Sequence, residues 1–95
     1  MLTHIVLFRL NDKSDSTIQK TKEVLLGLKD QVPFLKFIEV GTDIIHSERS
    51  YDVALYTKFD SLEDMEAYQV HPAHVKVLEY IKTVRESAVA IDYES

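Results

Sequence analysis

Ninety-five residues, 45% hydrophobic and 28% charged, with only two glycines and two prolines, describe one ordinary folded domain over 1–95 and exclude a disordered or fibrous chain. A formal net charge of -5 without a clustered basic face disfavours nucleic acid or anionic membrane as a partner, and no apolar run approaches the ~18 residues of a membrane span. With no cysteine there can be no disulfide, thiol nucleophile or thiolate metal cage, and with no cleavable leader in the first residues the expected location is cytoplasmic.

The first element is an apolar run of strand length from Leu2 to Leu10. His4, Val6, Phe8 and Leu10 share one of its faces, and Thr3, Ile5, Leu7 and Arg9 the other. Both faces carry large apolar side chains, so it reads as a buried central strand. NDKSDS breaks the run, and Ser16 with Gln19 three residues on predicts a capping box. The helix it opens has an apolar stripe of Ile18, Val24, Leu25, Leu28 and Val32 and stops at Pro33. A second strand is expected over about 35–45, with Gly41 marking a bulge and HSERS a turn, and a third over about 51–59. Ser61 and Asp64 predict a short helix with Leu62, Met65 and Tyr68 on one face. Pro72 suits the first position of another helix, whose buried side is expected to carry Val75, Leu78, Ile81 and Val84 or Arg85. The last strand is expected over about 87–93, with Val89 and Ile91 on one side and Ala88, Ala90 and Asp92 on the other.

This order matches an α+β, ferredoxin-like βαββαβ arrangement, a four-stranded antiparallel sheet with its helices on one face. The other face is apolar too, which calls for a covering layer, and a second copy in a two-fold homodimer supplies it most economically. On the helix side the small Ala88 and Ala90 leave room for a pocket.

The stretch YQVHPAHVKV concentrates the chemistry. With Pro72 as the first helical residue, His71 is the N-cap and His74 the third helical position, both at the positive helix end, which disfavours imidazolium. A neutral His74 can take a proton, and the Tyr68 phenol can donate to a carbonyl or enolate oxygen. His4 offers a third polar group, and Asp92 is placed to orient an imidazole. The plainer readings are a core-edge aromatic for Tyr68, a helix cap for His71 and satisfied core histidines for His74 and His4. His71 and His74 are spaced for a metal, but no third ligand completes a set, so no metal is expected. Two glycines cannot build a phosphate loop, so no cofactor is expected either.

Together HIVLFRL, FDSLEDMEAY, the Y-x-x-H-P-x-H junction and the closing AIDY resemble the stress-responsive A/B barrel family, often called Dabb domains, over essentially the whole chain. The resemblance implies a dimeric α+β barrel. Through a plant polyketide cyclase of that family it also implies aldol chemistry without a cofactor, with His74 as base, Tyr68 as donor to the carbonyl oxygen and His4 on the pocket wall. Two features depart from that enzyme. Val53 stands where it has a pocket histidine, and Lys22, Glu23 and Leu26 stand where its first helix supplies an aromatic wall, so its substrate does not carry over. The expected site adds Val6, Phe8, Val53, Leu55, His71, Ala88, Ala90 and Asp92 to the acid/base pair and takes a small hydrophobic or phenolic ligand. A non-catalytic ligand-binding or stress-response module is the alternative, and a cofactor-free monooxygenase a further one.

Overall fold

A computed structural model describes residues 1–95. Its elements are β1 (Leu2–Leu10), α1 (Asp15–Leu26), a 3-10 turn (Gly27–Asp30), β2 (Phe37–Thr42), β3 (Val53–Phe59), α2 (Leu62–Gln69), α3 (Pro72–Val84) and β4 (Arg85–Glu94). The strands form one antiparallel sheet in the order β2-β3-β1-β4, so β1, rich in β-branched and aromatic residues, is central as expected. Because β1 and β2 both flank β3, the β1-α1-β2 connection passes over it, which is the split βαβ of the ferredoxin-like fold.

Several local expectations are corrected. The α1 cap is Ser14 rather than Ser16, because Asp12 accepts from both the Ser14 N–H and the Thr17 hydroxyl and folds the turn one step earlier. That helix stops at Leu26, and the 3-10 turn carries Leu28 into the core. β2 is shorter than 35–45, since the Leu35 N–H bonds back to the Val32 carbonyl, and beyond Thr42 the Asp43 carboxylate accepts from the His46 N–H at 2.6 Å. This turn holds His46 at φ 57°. Gly41 makes no bulge, as its pairing with Ala54 continues the ladder; the irregularity lies between Arg9 and Leu10, where β4 begins. α3 is rotated from its expected face. Ala73 and Ile81 are buried with Val77, Tyr80 and Val84 partly so, while Val75 and Leu78 are exposed, as is Leu62 on α2.

The side chains of the His4 face pack under the helices in two clusters. Phe8, Leu10, Val53 and Leu55 meet Ile18, Leu25 and Ile81 in one, and Leu2 and Phe59 meet Met65, Tyr68 and Ala73 in the other. Asp52, just before β3, ties the first cluster to the β1 end. Burial by itself would raise its pKa, but the Leu10 N–H at 2.8 Å and the Lys13 ammonium at 2.9 Å, with Arg9 near, hold it below the usual carboxylate range.

On the opposite face, register places Leu7 between Ala54 and Val89, and Ile5 between Tyr56 and Ile91. Phe37, Val89, Ile91 and Tyr93 are exposed there. This apolar face therefore has no covering layer within one chain. No helix is long and apolar enough to cross a membrane.

Candidate active site

The junction between α2 and α3 sets the site. The His71 N–H closes the turn onto the Tyr68 carbonyl at 3.1 Å, and His71 Nδ1 accepts from the Ala73 N–H at 3.1 Å, which caps α3. The helix therefore begins at Pro72, whose missing N–H costs nothing at that position, and His74 falls on the first turn facing Tyr68.

Tyr68 is fully buried, with ring centroids 4.4 Å from His74, 5.0 Å from Phe59 and 6.4 Å from His4. Its hydroxyl has no hydrogen-bond partner, and burial drives its pKa up, so the phenol stays protonated. His74 Nδ1 lies 3.1 Å from the Gln69 carbonyl, which can only accept. The Nδ1 proton is thus fixed, and the Nε2 lone pair is left free. Burial pushes the His74 pKa down, the Gln69 carbonyl works against this, and His4 adds to the lowering. Desolvation thus adds to the lowering expected at the start of a helix.

β1 and β4 supply the third polar group. Their register puts His4 opposite Asp92, whose carboxylate accepts from His4 Nδ1–H, so Asp92 orients His4 and not His74.

Tyr68, His74 and His4 border a cavity of about 340 Å3 at the seam of the two core clusters. Val6, Phe8, Leu55, Ala88 and Ala90 form its sheet wall together with His4. Three residues named from sequence are not on that wall, and one of them, Asp92, stands behind it on His4 Nδ1. Val53 is buried in the first cluster, one inward-facing position along β3 from Leu55, and His71 turns its ring edge to Phe34 at 6.0 Å. His71 thus lies against Phe34, whereas His74 lies against Tyr68. Leu25, Gln69, Val77, Leu78, Ile81 and Arg85 line the cavity without having been assigned to it from sequence. Helical spacing forward from His74, to positions 77, 78, 81 and 85, carries the signal for four of them. A polar hollow of about 400 Å3 around Arg9, Lys13 and Glu86 has no apolar wall, and its Lys13 and Asp52 already pair with each other.

Over residues 2–95 the chain matches the profile of the stress-responsive A/B barrel domain. The chain belongs to the stress-responsive A/B barrel family. It is similar to the stress-response A/B barrel domain-containing protein DABB1 of Arabidopsis thaliana, 29% identical over 98 residues, covering 98% of this chain and 46% of DABB1. The chain thus spans less than half the length of that relative. Olivetolic acid cyclase of Cannabis sativa is 23% identical over 93 residues, covering 95% of this chain and 92% of the cyclase. Among solved structures, a dimeric ferredoxin-like protein from Bacteroides fragilis superposes with a TM-score of 0.86 at 32% identity, covering 99% and 95% of the two chains. The hydroxynitrile lyase of Passiflora edulis shares the fold, with a TM-score of 0.83 at 21% identity over 97% and 90% of the chains.

Proposed function

We propose that this A/B barrel domain performs proton-transfer chemistry on a small carbonyl compound, with His74 as base and Tyr68 as donor to the oxygen, and without a cofactor. The observation that carries it is the Tyr68 hydroxyl, buried at the cavity with no partner beside a neutral imidazole whose Nε2 is free. A buried hydroxyl left unsatisfied costs roughly 1–3 kcal/mol, so its retention beside a cavity supports a ligand oxygen as its missing partner. In the proposed step His74 Nε2 takes a proton from the carbon next to a carbonyl. The electron pair of that C–H bond becomes an enolate whose oxygen accepts from Tyr68 Oη–H. The enolate carbon then attacks a second carbonyl, and the proton returns from His74 to the alkoxide formed. Olivetolic acid cyclase and the hydroxynitrile lyase, as enzymes of this fold, support such chemistry here.

The experiment is exchange of carbonyl-adjacent hydrogen for deuterium in D2O, followed by NMR over a panel of phenolic ketones and β-diketones. Wild type is expected to exchange at least one of them and His74→Ala to lose the effect. The pH profile provides the sharper check. Because the base must be neutral and its pKa is held below 6.5, the rate should fall on the acid side along a limb centred below pH 6.5. A limb centred at or above pH 6.5 would assign the base to another group.

Relatives named for stress response favour a second reading, in which the same groups hold a ligand without turning it over. Binding without exchange would select it. Under either reading we propose a homodimer through the open sheet face, supported by that face's apolar surface and by dimeric neighbours.

A further inference from the structure

Along α3, His74, Val77, Leu78 and Ile81 share one stripe that Arg85, the C-cap and first residue of β4, continues, and all five line the cavity. At 1.5 Å rise per residue the eleven positions from His74 to Arg85 separate their Cα atoms by roughly 16 Å. The sheet wall runs the same way, from His4 beside Tyr68 to Phe8 and Ala88, roughly 13 Å along β1. The cavity is therefore a groove with the acid/base groups at one end, an apolar middle and Arg85 at the other. Its charge pattern is one-sided. No aspartate or glutamate lines it, although the chain carries a net charge of -5, and Arg85 forms no ion pair with any carboxylate. The arginine is rooted firmly, as its N–H bonds to the Ile81 carbonyl and its own carbonyl accepts from Asn11 Nδ2 at 3.3 Å.

We infer that the groove selects a chain-like keto acid, whose carboxylate is held by Arg85 while its carbonyl, several methylenes away, reaches Tyr68 and His74. The guanidinium fork matches a carboxylate in two parallel hydrogen bonds, and the apolar middle accepts the methylenes. This assignment deepens the proposed function and rests on it.

The test is a thermal-shift titration with 9-oxodecanoic acid, its methyl ester and 4-oxopentanoic acid, the last too short to reach both ends. On wild type the long acid should raise the melting temperature more than the ester or the short acid. Arg85→Gln leaves both backbone bonds in place and should weaken the long acid about tenfold while leaving the ester unchanged. Acid and ester binding alike, or an Arg85→Gln variant that binds the acid as wild type does, would overturn the assignment. If no long probe binds while the phenolic ketones do, Arg85 alone is discarded. If neither set binds, the proposed function fails with it.

Discussion

Tyr68→Phe is expected to melt at or above the wild-type temperature while carbonyl-adjacent hydrogen exchange falls about 10²–10³-fold. The two halves of that result have one cause. The hydroxyl is buried without a partner, so replacing it by hydrogen breaks no bond in the folded protein and removes a desolvated polar group. The ring keeps its packing against Phe59, His4 and His74. A gain of about 1 kcal/mol would appear as a rise of about 4–8 °C in a domain of this size. A residue kept for structure behaves oppositely. If Tyr68→Phe melted several degrees lower with exchange intact, the hydroxyl would have a structural partner and the donor role would be lost.

The second large effect concerns the open face. Ile91 is 58% exposed and Val89 47% exposed in the single chain, and Ile91 sits beside Ile5 in register. Ile91→Glu is therefore tolerated by the fold of one chain. In a two-fold dimer the same substitution buries two carboxylates, one from each copy, at a cost of several kcal/mol. Sedimentation at micromolar concentration should find wild type at twice the 11.0 kDa chain mass and Ile91→Glu at that mass. A monomeric wild type, or a variant that stays dimeric, would contradict an interface on this face.

The open-face argument starts from a feature that strand parity made legible. Alternation along β1 separated the His4 face from the Ile5 face, and the same alternation on β4 put Ala88 and Ala90 beside the cavity and Asp92 behind it. Pro72 and the histidines around it marked the start of α3 to the residue, because proline at the first helical position has a geometric reason. What failed had equally local causes. NDKSDS offers two serines as caps, and the choice between them depends on where the Asp12 carboxylate reaches. α3 carries apolar residues at 75, 77, 78, 81 and 84, spread over half its circumference, so periodicity does not say which part of that arc meets the sheet. Val53 was assigned by matching a pocket position in another protein, whereas here the β3 contribution to the wall is Leu55. Arg85 reads from sequence as the end of a buried stripe. Only the packing of β4 beside β1 turns it into the far end of a groove.

The central claim is that a neutral imidazole with a free Nε2 packs against an unpartnered phenol at the cavity. It is tested most directly by the nitrogen shifts and proton couplings of His74, read by NMR at pH 7 without ligand. A neutral ring carrying its proton on Nδ1 is the predicted result, since the Gln69 carbonyl holds that proton and burial disfavours the cation. A proton on Nε2, or an imidazolium at pH 7, would contradict it, because no base would then face the cavity.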